Sequence, residues 1–356
     1  MSILFSPLRI KNIPLRNRIV VSPMCQYSSP GDGFATDWHL VHLGSRAVGG
    51  ASLVIQEATA VSAEGRITAF DLGIYQEQHI GKLRQVTDFI HSQGAVAGIQ
   101  IAHAGRKGSH AVPWEGGKQV GQQLGGWTCV SSSAIPFTET EQAPQALDHA
   151  GIQKVIEDFK AAAGRAKNAG YKVLEIHAAH GYLIHQFLSP FCNIRGDEYG
   201  GSFENRIRIL LEIVEAVQSV WPEDLPLFVR ISASDWVDHG WDIDQSVKLS
   251  ALLKEKGVDL MDCSSGGAVS HVRIPLNAGY QVPFSARIKK ETGILTGAVG
   301  LITTCEQAEE ILSKDQADLI FFGRELLRDP YFPFHAAEKF GQDIPWPSQY
   351  LRAKPN

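Results

Sequence analysis

Glu157-Asp-Phe-Lys-Ala-Ala-Ala-Gly-Arg-Ala-Lys-Asn168, closed off at Gly170 and followed at once by Val173-Leu-Glu-Ile-His177, is the stretch on which the fold turns. Its first part reads as a helix ending at a glycine. Its second part is a short, nearly continuous apolar run of the kind found in strands buried on both faces. The pattern recurs along the chain. Comparable runs stand at Ile19–Ser22, Leu53–Glu57, Ala95–Ile101, Leu227–Ile231, Asp259–Cys263, Gly293–Thr296 and Leu319–Phe322, making eight with Val173–His177. Further helices are marked at Phe203–Val220 behind the cap candidate Ser202, at Asp244–Lys256 ending at Gly257, and at Cys305–Ser313. Strand alternating with helix implies a parallel sheet with right-handed crossovers. Eight such units fit a closed (β/α)8 TIM barrel better than an open doubly wound sheet. Neither open-sheet nucleotide fingerprint, GxGxxG or GxxxxGK[ST], is present. The expected fold is α/β, a single barrel domain over residues 1–356.

Two connections between strands are oversized, and both fall where barrel enzymes keep their active sites. Ala104–Ala150, after strand three, is rich in Gly, Gln, Ser and Pro and carries Trp114-Glu-Gly-Gly117 and Gly125-Gly-Trp127. His180–Gly201 follows strand four. They read as a cap over the mouth rather than as a second domain.

Composition excludes several classes. In 356 residues, 44% hydrophobic and 20% charged, 33 basic against 38 acidic residues give a net charge of −5. That describes a globular protein with an ample core, too balanced for a nucleic-acid or membrane-surface binder. Cysteines at 25, 129, 192, 263 and 305 form no tight zinc or iron–sulfur motif. Their odd, scattered count suits reduced thiols in the cytoplasm. Met1–Arg18 shows no signal-peptide pattern. The uncharged stretch Ile176–Ile194 contains three histidines and a glutamine that a lipid-facing helix would not carry.

The strand ends hold the chemistry. In order they carry Ser22-Pro-Met-Cys25, Glu57-Ala-Thr59, Gln100 with His103, His177 with His180, Arg230, Ser264-Ser-Gly266, Gly297, and Gly323-Arg324. A barrel would gather these into one mouth. Thr296-Gly-Ala-Val-Gly300 and Gly323-Arg324 follow strands seven and eight, where phosphate commonly binds, and Arg324 would add a charged clamp. His177-Ala-Ala-His180 suits a pair of imidazole donors to one electronegative oxygen. A metal site is a second reading, although zinc wants three protein ligands and no metal pattern stands nearby. Arg230 ends an apolar strand and requires an anionic partner, either a structural carboxylate such as Glu175 or charge developing on a bound ring.

Four long motifs in order, Val21-Ser-Pro-Met-Cys-Gln-Tyr27, Gln100-Ile-Ala-His-Ala-Gly-Arg106, Glu175-Ile-His-Ala-Ala-His-Gly-Tyr-Leu-Ile-His185 and Asp197-Glu-Tyr-Gly-Gly-Ser-Phe-Glu-Asn-Arg206, resemble the old yellow enzyme family. The likeness runs from about Phe5 to Arg352. Cys25 with Tyr27, and the closing Gln349-Tyr-Leu-Arg352, look like its bacterial thermophilic-like branch, and Trp114-Glu-Gly-Gly is similar to the xenobiotic reductases. The resemblance implies an FMN enzyme that takes hydride from NADPH or NADH and reduces activated alkenes. Ser22, Pro23, Met24, Cys25, Ala58, Gln100 and Arg230 would meet the flavin. Gly297, Gly323 and Arg324 would hold its phosphate, and Gly266 is counted with the cofactor residues. His177 and His180 would bind the substrate oxygen, Tyr182 would donate the proton, and Tyr27 would position the substrate. Arg352 would reach a neighbouring subunit's pocket in a homodimer or dimer of dimers. No resident metal, nucleic acid or membrane is expected. Other classes weighed were a metal-dependent hydrolase or aldolase barrel and a non-catalytic barrel binding a phosphate ligand. A larger relative with an iron–sulfur cluster and a second nucleotide domain would need cysteines and length that this chain lacks.

Overall fold

Residues Ser2–Pro355 are described by a computed structural model. Eight parallel strands close into a barrel in sequence order: β1 (Ile19–Val21), β2 (Leu53–Ala60), β3 (Val96–Ala102), β4 (Val173–Ala178), β5 (Leu227–Ser232), β6 (Leu260–Ser264), β7 (Leu295–Ala298) and β8 (Leu319–Phe322), with β8 pairing back to β1. Their principal covering helices are α1 (Asp37–Val48), α2 (His79–Ser92), α3 (His149–Asn168), α4 (Phe203–Gln218), α5 (Ile243–Glu255), α6 (Val282–Thr292), α7 (Cys305–Ser313) and α8 (Phe332–Lys339). The eight apolar runs are these strands, displaced by up to three residues at their ends.

Apolar residues serve both faces of the barrel, which is why the strands do not alternate. Val20, Leu53, Ile55, Val173, Phe228, Leu260, Leu319 and Phe321 form the inner cluster. Residues such as Ile99, Leu174, Val229 and Ile320 belong to the larger cluster shared with the helices. An antiparallel hairpin, Leu8–Ile10 with Ile13–Leu15, joins the inner cluster through Ile10 and Leu15 and plugs the N-terminal end. Sequence reading did not mark this hairpin, because three-residue strands carry too little periodicity.

Local signals set the helix ends. Ser202 Oγ accepts the Asn205 N–H at 3.3 Å, the cap expected for α4. α3 starts earlier than Glu157, because Asp148 caps it by accepting the Gly151 N–H at 2.7 Å. Gly170, at φ 95°, takes the left-handed turn that ends α3. The Ala104–Ala150 insertion holds three short 3-10 turns, Gly105–Lys107, Pro113–Glu115 and Gln122–Leu124, and a two-residue strand pair. Arg106 ties it down by donating to the carbonyls of Ile135 and Pro136, both at 3.2 Å, and of Ala268 at 2.5 Å. Among the described residues no helix is long and apolar enough to cross a membrane, and all five cysteines are free.

Candidate active site

Strand register builds the floor of the mouth. Gln100 on β3 stands opposite Glu175 on β4, His177 on β4 opposite Arg230 on β5, and Arg230 opposite Asp262 on β6. Directly opposed side chains are the ones that pair across a sheet. Gln100 Nε2 accordingly donates to Glu175 Oε1 at 2.8 Å, while Arg230 Nε stands 3.0 Å from Asp262 Oδ2. The carboxylate facing Arg230 is therefore Asp262, where the sequence had suggested Glu175. All four residues are buried. Burial pushes the Asp262 carboxyl up to about 6 against the pull of Arg230. It pushes Glu175 up to about 8, with Asp262 adding to the rise and Arg230 and Gln100 opposing it.

The two histidines lie on the rim of this floor. Burial, aided by the Arg230 charge, holds both well below the usual imidazole range, so both rings are neutral near pH 7. His177 Nδ1 accepts the Ala179 N–H at 3.3 Å, which leaves the proton on its Nε2, 3.3 Å from His180 Nδ1. His180 Nε2 then faces Ser264 Oγ at 2.6 Å. For both rings to donate to one ligand oxygen, the Ser264 hydroxyl must turn from Gln281 and donate its hydrogen bond to His180 Nε2, which places the His180 proton on Nδ1. The Tyr182 ring stands edge-on to His177, centroids 5.1 Å apart. Burial keeps its hydroxyl protonated far above neutral pH. His180 has φ 58° and Gly181 φ 72°. A Cβ on Gly181 would come within 1.9 Å of the Gly267 carbonyl oxygen, so this turn demands glycine.

Ser22, Pro23, Met24 and Cys25 follow β1 outside any regular element, and Ser22 N–H donates to Phe322 O at 3.0 Å across the barrel seam. The Cys25 thiol is pushed well up, first by burial and then by Asp71 and Glu57, with the Ala58 N–H opposing. It is a neutral thiol. Ala58 is buried beside it at the end of β2. Tyr27 adopts φ 50° and meets the Trp114 ring edge-on at 5.9 Å.

Beyond the rim, a cavity of about 240 Å³ is lined by Ser264, Gln281, Gly300, Gly323, Arg324 and Arg328, among others. A Cβ on Gly323 would meet only Met24 Sδ at 3.8 Å, so this glycine borders open space. Gly297 differs. It lies inside β7, where a Cβ would strike the Phe321 ring at 2.2 Å, so its glycine makes room for core packing. On that side the cavity glycine is Gly300. Gly266, at φ 73°, is buried in the turn after β6, where its N–H donates to Ser234 O at 2.8 Å.

The family profile for NADH:flavin oxidoreductase / NADH oxidase matches residues 3–343. The chain belongs to that family. It is 51% identical over 354 residues to an NADPH dehydrogenase of Listeria monocytogenes serotype 4a (strain HCC23), covering 99% of each chain. Morphinone reductase superposes with a TM-score of 0.80 at 26% identity, covering 98% of this chain and 92% of that one. A 2-naphthoyl-CoA reductase superposes at 0.85 with 25% identity, and this chain spans about half of it (52%). Together these make the protein a flavin-dependent oxidoreductase of the old yellow enzyme family, with FMN and a reduced nicotinamide as its cofactors.

Family membership supplies a cofactor, FMN, that the floor and the cavity are able to hold. The buried, polar Gln100 and Arg230 suit the edge of a flavin ring, and the cavity between Gly300 and Arg324 suits its phosphate. The hydrolase and ligand-binding alternatives give way to this assignment. Among the described residues no cluster of three or more His, Cys, Asp or Glu could hold a metal ion. Arg352 lies in an exposed 3-10 turn, Ser348–Ala353, and forms no ion pair among the described residues. Trp127 packs the insertion, its indole donating to Glu64 O at 2.9 Å. Lys107 escaped sequence reading, and Glu57 stands out there only as a strand end. Lys107, half-buried at the start of the insertion, donates to His180 O at 2.9 Å and Gly267 O at 3.3 Å, and stands 5.4 Å over the Tyr182 ring. Burial lowers its ammonium to about 8. Glu57 lies behind the Cys25 turn. Lys107 directly follows the Gln100–Arg106 motif, and that adjacency was the available signal.

Proposed function

We propose that the protein is an ene-reductase acting on activated C=C bonds in enones, enals, maleimides and nitroalkenes, with NADPH as hydride donor. The observation that carries the reading is the constellation of His177, His180 and Tyr182, two neutral imidazoles and a protonated phenol on one rim beside Arg230. Bound FMN, held by Ser22–Cys25, Ala58, Gln100, Arg230, Gly266, Gly323 and Arg324, supplies the hydride chemistry. The protein's own groups do the rest. His177 and His180 donate hydrogen bonds to the carbonyl or nitro oxygen and meet the charge that develops there. Tyr182 gives its hydroxyl proton to the α-carbon, a general-acid contribution of about 10²–10⁴ in rate. Lys107, close to the Tyr182 ring, favours the phenolate left behind. Tyr27 and Trp114 wall the mouth.

The whole chain, residues 1–356, acts as one FMN-binding barrel in this reading, in the cytoplasm, as a homodimer or dimer of dimers. Arg352, exposed and without an ion pair among the described residues, completes the partner's pocket. The nicotinamide role draws support from morphinone reductase solved in complex with tetrahydroNAD. Tyr182→Phe is the test. Anaerobic reduction of the bound flavin by NADPH should stay within about threefold of wild type, while its reoxidation by cyclohexenone falls at least about 100-fold. Reoxidation by every alkene at wild-type rate in the variant, or by none in the parent, would refute the assignment.

A further inference from the structure

Glu57 leaves β2 at a bulge. The register passes from Gln56 opposite Ile99 to Thr59 opposite Ile101, so one extra residue is inserted on the β2 side. Bulges of this kind re-aim side chains beside active sites. Here the bulge sends a carboxylate that is only 2% exposed to the back of the Met24–Tyr27 turn. Glu57 Oε1 accepts the Gln26 N–H at 2.8 Å, and the neighbouring Tyr27 N–H also favours the charged form of the carboxyl. Oε2 has no hydrogen-bond partner and lies 3.9 Å from His39 Nε2, itself wholly buried and without a hydrogen-bond partner.

The tautomer of His39 is settled by its other nitrogen. Nδ1 accepts the Thr36 N–H at 3.0 Å, so the neutral ring carries its proton on Nε2, aimed at Glu57. Burial keeps that ring neutral, down to about 4. The groups nearest the carboxylate therefore present donors. From the same first turn of α1, the Trp38 indole N–H donates to Gln26 Oε1 at 3.1 Å, and Gln26 Nε2 donates to Met24 O at 2.8 Å. The turn held in this way contains Tyr27 in the left-handed region, a conformation that a bulky side chain keeps only when its surroundings over-determine it.

We propose that Glu57, backed by His39, is the positioning residue that holds the Cys25 thiol and the Tyr27 ring in their places at the site. The inference rests on the reading of Cys25 and Tyr27 as flavin- and substrate-facing. An acid that merely filled the core would, on replacement, weaken the whole barrel evenly and leave the turn no looser than the rest.

Glu57→Gln holoenzyme is the principal variant, because it keeps the volume and one acceptor oxygen while removing the ionisable acid. His39→Phe, which leaves Glu57 intact and deletes the facing N–H, is the second, and it carries the test alone should Glu57→Gln fail to fold. In hydrogen exchange, the Gln26 and Tyr27 amides should open at least about tenfold faster in either variant, while the amides of β5 and α4 keep their wild-type rates. Burial pushes the Glu57 acid up to about 8, so the flavin reduction potential of Glu57→Gln should move positive only above about pH 8, where an anion near the ring is lost, and KM for the alkene should rise more than kcat falls. Wild-type exchange at both amides, or acceleration spread evenly through the barrel, overturns the proposal. A loosened turn with unchanged potential and KM upholds the brace and overturns the placement of Cys25 and Tyr27 instead.

Discussion

Replacing Arg230 by Met should destabilise the barrel in a way that depends steeply on pH, and the slope follows from Asp262. In the wild type the Asp262 carboxyl sits at about 6, against an ordinary 3.8, because burial outweighs the Arg230 charge 3.0 Å away. An acid whose folded-state value is raised loses stability as pH climbs from its unfolded value to its folded one, and the loss then levels off. Wild-type protein therefore stops losing stability through this group above about pH 6. Without Arg230 the folded value climbs further and the loss continues, at about 1.4 kcal/mol for each pH unit. The variant's deficit should thus grow by about 2–3 kcal/mol between pH 6 and pH 8, of the order found when one partner of a buried pair is removed. Glu175, already at about 8 with Arg230 present, adds to the slope only above that pH. Near pH 5 only the packing difference should remain. The assay is urea unfolding of FMN-stripped protein at pH 5.5, 7 and 8, so that cofactor binding does not enter the balance. Arg230→Met/Asp262→Asn should flatten the slope, since the asparagine cannot ionise. A deficit independent of pH, or an equal slope in the double variant, would show that Asp262 is not the group Arg230 neutralises.

The buried histidines should make stability fall with acid. His39, His42 and His103 are held down by burial to about 4, 3 and 4, so each contributes stability above its unfolded value of 6.5 that is lost as pH falls, about 1 kcal/mol apiece by pH 5.5, against the gain from Asp262 and Glu175 over the same range; a His42→Phe variant whose stability changes between pH 7 and 5 as the wild type's does would contradict this. His177→Ala and His180→Ala should be strongly non-additive in alkene reduction and should weaken phenol binding in parallel, because both rings address one oxygen. Unchanged phenol affinity in the double variant would remove that assignment. Lys107→Met should lower the rate of alkene reduction about tenfold and abolish a decline in rate above about pH 8, where the wild-type ammonium loses its proton. Persistence of that alkaline limb in the variant would place its origin elsewhere.

Periodicity and motif spacing carried a great deal. Apolar runs at Leu53, Val173, Leu227 and Leu319 announce strands because a strand buried on both faces tolerates little else, and that constraint is local to each segment. Ser202 before α4 and Gly170 after α3 are legible for the same reason, since a cap and a left-handed turn are met by one residue acting on its immediate neighbours. The His177-Ala-Ala-His180 pair, Arg230 and the loops after strands seven and eight were recognisable because their chemistry stands at strand ends, and the barrel brings strand ends together.

What the chain did not disclose by itself are relations between segments far apart in sequence. Arg230 meets Asp262 and not Glu175 because barrel closure sets β5 against β6 in a particular register, and a shift of one residue would turn each side chain to the other face. Gly297 looked like a phosphate glycine, yet its missing Cβ accommodates Phe321 on the next strand. Glu57 seemed only the end of a strand until the bulge after Gln56 aimed it at Gln26 and His39. Lys107 acquires its meaning from His180 and Gly267, carbonyls supplied by two other βα loops. The sequence determined which elements form and which chemical groups reach the mouth, because propensity, burial pattern and capping act within a few residues. Only the closed barrel decided which of those groups touch and which carry charge, because pairing and desolvation depend on distances that exist once the strands have closed.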